Sequence, residues 1–198
     1  MNFDHILSYV RETVGEGKRL DHILRTKEEC ARLASLFSLS DEQTDDLLLS
    51  ALLHDLTKQW TVEEHKVIFE KYHLPFEEAE IRSPKTLHSK TGAYLARDRF
   101  PNEVNDTVFN AILTHTVGCA DMTIEQKLLY LADYIEYGRT HASCVELRNA
   151  FYDIPKDIPL LQHLDNILLK SFDMTLIELV EAGAYIHPTT IEARNFLL

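Results

Sequence analysis

Helical punctuation constrains this chain more than any other feature. Leu20, Ile23, Lys27, Cys30, Ala34 and Phe37 recur at steps of three and four, the spacing that lines one face of an α-helix. Ser40 with Gln43, Thr61 with Glu64 and Thr123 with Gln126 each set a hydroxyl three residues ahead of an amide or carboxylate. That is the capping box, which satisfies the first free N–H groups of a helix. The helices these boxes open are predicted to reach Leu53, Tyr72 and Ile135. Ser83-Pro84 precedes a predicted helix over 85–99 that Pro101 stops, and Asn102 is expected to cap the next, which runs to His115. Further helices are predicted over 143–152 and 158–181, with a last capping box at Thr189 and Glu192. No stretch alternates apolar and polar residues between hairpin turns, so the expected fold class is all-α. The one soft boundary, Leu147 to Pro159, divides a helical core of about residues 18–140 from a C-terminal helical extension of about 141–198, within one domain.

At 198 residues the chain can bury a core without disulfides or structural metals. No apolar run approaches the roughly 18–20 residues of a membrane helix. Met1-Asn2-Phe3-Asp4-His5 lacks the basic and apolar regions of a secretory signal. Cys30, Cys119 and Cys144 are dispersed, as expected of reduced thiols in a cytoplasmic protein. A net charge of −12 disfavours nucleic acid and anionic membranes as partners. A phosphate-bearing substrate would therefore need local attraction, from metal ions or a few placed Lys and Arg. Ten histidines are the first hint of metal chemistry.

Six residues of metal-ligand type sit near the ends or flanks of predicted helices: His22, His54, Asp55, His88, His115 and Asp133. His54-Asp55 closes the run Leu47-Leu48-Leu49-Ser50-Ala51-Leu52-Leu53, where two ionisable side chains are costly unless they find partners. Helix neighbours project about 100° apart, so this pair can reach two ions rather than chelate one. His115 closes a second apolar stretch, and Asp133 lies inside the apolar segment Leu128 to Ile135. Taken singly, each histidine reads as a hydrogen-bonded flank residue and Asp133 as the partner of an arginine. His5, His65, His73, His141 and His163 have no special context and read as surface or core residues. The six in order point to a metal centre, and donors of nitrogen and oxygen without sulfur suit iron or manganese.

The order His22, His54-Asp55, Asp133 resembles the HD-domain superfamily of metal-dependent phosphohydrolases, and His88 and His115 resemble the additions of its two-metal branch. Arg19-Leu20-Asp21-His22, Leu52 to Lys58, Leu87 to Ala96, Leu113 to Thr116, Leu131 to Glu136 and the tail Ile186 to Asn195 look like the bacterial YqeK family, over about residues 18–198. Many relatives carry Gly-Pro after the third histidine, where this chain has Ser89-Lys90. The resemblance implies an HD-domain helical bundle that hydrolyses diadenosine tetraphosphate symmetrically to two ADP at a di-iron centre, with manganese or another transition metal as alternative occupants. It implies that one ion takes His22, His54, Asp55 and Asp133, and that the other takes His88 and His115 and shares Asp55. It also implies that Tyr185, Ile186, His187, Pro188, Thr189 and Thr190 line the nucleotide site, with Thr116 beside His115.

A metal-bound water, activated between two ions roughly 3.5–4 Å apart, would attack phosphorus in line. Lys58, three residues after Asp55, falls about one turn away on the same side if the helix continues, where it would meet charge on the phosphate; Asp55 and Lys58 are the catalytic candidates. Arg19 and Arg139 are further phosphate candidates. The plain alternatives are a solvated lysine, two surface arginines and, for the tail, a helix cap that packs the C-terminus. Two other functions compete: another HD-type nucleotidase, triphosphohydrolase or phosphodiesterase, and a non-catalytic nucleotide-binding protein. The expected partners are a dinucleoside polyphosphate, its nucleoside diphosphate product and a second copy of the chain in a homodimer.

Overall fold

The computed structural model describes residues 2–198, and among these there is no strand. A short helix α1 (Asp4–Val14) leads into α2 (Lys18–Leu36), α3 (Asp41–Leu53) and α4 (Val62–Lys71). One turn of helix, α5 (Glu78–Arg82), and a 3-10 turn over Pro84–Thr86 precede α6 (Leu87–Arg99) and α7 (Asp106–Thr114). The chain then forms α8 (Ile124–Ile135), α9 (Ala142–Tyr152), α10 (Leu160–Glu181) and α11 (Pro188–Phe196). Among the described residues no helix is long and apolar enough to cross a membrane.

Three expected capping boxes form with both hydrogen bonds, at Ser40, Thr61 and Thr123. Two expected caps do not. Asn102 lies in a tight turn in which Val104 N–H donates to Phe100 at 2.8 Å, so the helix starts later and Asn105 caps it, accepting from Val108 N–H at 2.9 Å. At the tail, Pro188 takes the first helical position, where its fixed φ and missing N–H cost nothing. The cap therefore falls on His187, whose Nδ1 accepts from Thr189 N–H at 3.3 Å, and Thr189 sits inside the helix. Helices α1 and α5 were not expected.

Helix α3 is the wall between two hydrophobic clusters. Leu47 and Ala51 face one, with α2, α8, α9 and α10; Leu49, Leu52 and Leu53 face the other, with α1, α2, α6 and α7. An apolar helix of this kind belongs in the interior. Each of its four fully buried leucines contributes about 2 kcal/mol by the usual area scale, offsetting the dehydration of the polar pair at its end. Leu164, Ile167, Leu168 and Phe172 of α10 pack into the first cluster, joining the C-terminal helices to α2 and α8.

Candidate metal centre

Five helices deliver one element each to the middle of the molecule. His22 comes from α2, His54-Asp55 from the end of α3, His88 from α6, His115 from the end of α7 and Asp133 from α8. The four imidazoles and Asp55 are all 6% exposed or less.

The outer nitrogens show how the rings are aimed. His54 Nδ1 donates to Ala51 O at 2.8 Å, His88 Nδ1 to Lys85 O at 2.8 Å and His115 Nδ1 to Ile112 O at 2.6 Å. His22 Nδ1 donates to Glu136 Oε1 at 3.2 Å. Each contact requires a proton on Nδ1, which in a neutral imidazole leaves Nε2 as the lone pair, the arrangement of histidines poised as ligands. His54 and His115 use carbonyls that a helix end leaves free.

The four lone pairs converge. His88 Nε2 and His115 Nε2 lie 3.0 Å apart with no proton to share. His54 Nε2 is buried with no hydrogen-bond partner, at a cost of about 1–3 kcal/mol. Asp55 stands between two sides. Its Oδ2 lies 3.5 Å from both His22 Nε2 and His54 Nε2; its Oδ1 lies 3.3 Å from His88 Nε2 and 3.9 Å from His115 Nε2. Asp133 Oδ1 is 2.9 Å from His22 Nε2 and 3.9 Å from His54 Nε2. Facing lone pairs and carboxylates in a buried site fit cations between them, and three overlapping groups of these donors are close enough to hold a metal ion.

Burial lowers the pKa of His54 and of His115, so both stay neutral. Burial pushes Asp55 and Asp133 the other way, but it is outweighed. Both are held well below the usual carboxylate range, Asp133 by the charge of Arg139 among its neighbours.

Cations rim the cluster. The Arg19 guanidinium bonds Asp55 Oδ2, and Arg139 Nη2 donates to Asp133 Oδ1 at 2.5 Å. Both line a cavity of about 310 Å³ with Lys18, Arg25 and Gln59, a basic patch on a chain of net charge −12. Lys58 reaches the site although α3 stops at Leu53. The chain continues in tighter turns, with Lys58 N–H bonded to Asp55 O at 3.1 Å, and Nζ stands 3.2 Å from His88 Nε2. Thr116 Oγ1 lies 3.3 Å from His88 Nε2 and 3.2 Å from His115 Nε2. A cavity of about 370 Å³ runs from Thr116 to Tyr185, His187 and Thr190, and the Arg82 guanidinium covers the Tyr185 ring at 4.5 Å. Thr189 lines a neighbouring cavity of about 220 Å³ with His187; Ile186 is half-buried and Pro188 exposed.

Sequence reasoning left Glu136 without a role. Buried at 1% exposure, it accepts from His22 Nδ1, from Arg25 Nε at 2.8 Å and from Gly138 N–H at 2.6 Å. A signal existed: a carboxylate at the C-terminal end of a helix opposes the dipole and calls for a partner.

Known proteins resemble this chain along its whole length. A protein named bis(5'-nucleosyl)-tetraphosphatase, symmetrical, from Bacillus subtilis is 26% identical over 198 residues, spanning 100% of this chain and 98% of its own. The protein of the same name from Staphylococcus aureus is 28% identical over 197 residues, 99% of this chain and 94% of its own. The crystal structure of a predicted HD superfamily hydrolase involved in NAD metabolism from Clostridium acetobutylicum superposes with a TM-score of 0.84 at 33% identity, covering 100% of this chain and 97% of that one. The family model for the HD domain matches residues 19–138, well over half of the sequence and the span from Arg19 past Asp133. On that match, the chain belongs to the HD-domain family.

Proposed function

We propose that this protein is a metal-dependent hydrolase that cuts diadenosine tetraphosphate and related dinucleoside tetraphosphates in the middle, giving two nucleoside diphosphates. One observation carries the two-metal part: a single buried carboxylate, Asp55, turns one oxygen to His22 and His54 and the other to His88 and His115. The names of the full-length relatives support the substrate and the symmetry of cleavage. His22, His54, Asp55 and Asp133 would hold one ion, and His88, His115 and the shared Asp55 the other. Iron is the ion that the family resemblance implies, and manganese or another transition metal suits the same nitrogen and oxygen donors. Bound metal would supply an activated water at neutral pH and neutralise phosphate oxygens.

The chain's own groups do the rest. Lys58, at the edge of His88, meets charge that develops on the phosphate. Arg19 and Arg139 exchange their hold on Asp55 and Asp133 for phosphate oxygens. Tyr185, His187 and Thr190 form the wall of a nucleotide pocket continuous with Thr116, with Ile186, Pro188 and Thr189 on the same segment. The protein acts in the cytoplasm as one domain.

Chromatography of the products tests the reading. Diadenosine tetraphosphate should give ADP alone with iron or manganese present. ATP plus AMP, no turnover, or faster turnover of a mononucleotide would overturn it.

A further inference from the structure

The basic cavity over Arg19 and Arg139 suits phosphates, and the Tyr185 cavity serves one nucleoside; a further cavity at the metal site has no role so far. It measures about 340 Å³ and opens on His88, with Lys58, Trp60, Val62, His65 and Lys85 among its walls. That volume falls within the range of small-molecule pockets, about 300–1,000 Å³. It lies across the 3-10 turn from the Tyr185 cavity, and the two share Pro84 and Lys85 as walls.

Trp60 is the chain's only tryptophan. It is half-exposed and belongs to neither hydrophobic cluster among the described residues. Its ring stands 5.8 Å from that of buried His65, tilted by 46°, and Thr91 Oγ1 pins the imidazole at 2.8 Å. The indole is therefore backed by a fixed group and offers its remaining surface to the cavity. The walls carry the ammonium groups of Lys58 and Lys85 and, among the described residues, no carboxylate. An aromatic surface beside two cations at the edge of a phosphate-cutting site has the chemistry of a nucleotide subsite.

We infer that this cavity is the subsite for the second nucleoside of the dinucleotide, whose purine base stacks on Trp60 while Lys58 and Lys85 follow its phosphates. The inference rests on the dinucleotide reading above. A substrate cut at its centre carries a nucleoside on each side of the reacting phosphorus, and the two cavities lie on either side of the 3-10 turn over Pro84–Thr86, just ahead of His88.

Trp60 reports on its own occupancy, because no other tryptophan contributes to the fluorescence. Metal-loaded protein is titrated with a diadenosine tetraphosphate analogue whose central bridge resists hydrolysis, and separately with inorganic tripolyphosphate, saturation being checked by calorimetry. The analogue should quench Trp60 and tripolyphosphate should not. Trp60→Ala should lower kcat/KM for diadenosine tetraphosphate about tenfold or more, mainly through KM, and Trp60→Phe should recover most of it. Unchanged fluorescence at saturation, or cleavage with an unchanged KM in Trp60→Ala, overturns the subsite alone. No cleavage and no binding by the native protein overturns the dinucleotide reading and the subsite with it. Should Trp60→Ala fail to fold, the titration of native protein decides.

Discussion

Glu136→Gln separates aiming a ligand from bracing a fold. The carboxylate takes three donors: the Nδ1–H of His22, the Nε–H of Arg25 and the amide of Gly138. Burial pushes its pKa up, but those partners outweigh it and hold it below the ordinary glutamate value, so the native group is a charged acceptor. Glutamine keeps the shape but offers one oxygen and an NH2 group, so either His22 or Arg25 is left facing a donor. Arg25 loses its counterion yet is 25% exposed and lies over Tyr137, so water compensates much of that loss. The stability cost should then be about 1–2 kcal/mol, a fall in Tm of about 2–8 °C. The effect on metal should be larger in kind. His22 loses the partner that fixes its tautomer and raises its basicity, which costs about 10–100-fold in affinity. Competition for manganese against a chelator of known affinity measures this, with a melting curve in parallel. Metal affinity within twofold of the native protein, alongside a lowered Tm, would refute the reasoning: Glu136 would then only tie α8 to α2.

Asp55→Ala should abolish turnover and leave helix content intact by circular dichroism, since it removes the shared ligand and little packing; near-normal activity would refute the two-metal reading. His65 is held from 6.5 down to about 4 by burial and by nearby His88. The unfolded chain therefore takes up a proton that the folded chain refuses between about pH 6.5 and 4. Stability should fall as pH drops through that window, by about 3 kcal/mol in all, and His65→Gln should lack that part of the slope. Urea midpoints that fall in parallel for the two proteins would contradict this. Gly118 holds φ +71, and a Cβ there would meet Phe172 Cζ at 2.6 Å and Ala193 Cβ at 3.0 Å. Gly118→Ala should cost about 3 kcal/mol and lower Tm by about 6–12 °C, loosening α10 and α11 from the loop that follows His115. A Tm within 2 °C of the native value, a threshold of about half a kcal/mol, would show that the ring yields freely.

What the sequence determined by itself was local. A hydroxyl three residues before an amide satisfies its own helix end, so the boxes at Ser40, Thr61 and Thr123 could be read without neighbours. Where two local devices competed, the pattern misled: Pro188 moved the last cap to His187, and the turn at Phe100 moved another to Asn105. The metal-ligand types stood out because His54-Asp55 and Asp133 sit in apolar runs that exclude lone charges, and the resemblance set them in order. The tertiary structure alone decided which way each imidazole faces, because that depends on which carbonyl or carboxylate captures Nδ1. For His22 the captor is Glu136, 114 positions away in the chain. It decided that Asp55 divides its two oxygens between two sides, and that Lys58 arrives by tight turns rather than by a continued helix. It also placed Trp60 at the mouth of a cavity beside His88. Such facts follow from the packing of α2, α3, α6, α7 and α8 around one point, and no window of sequence contains that point.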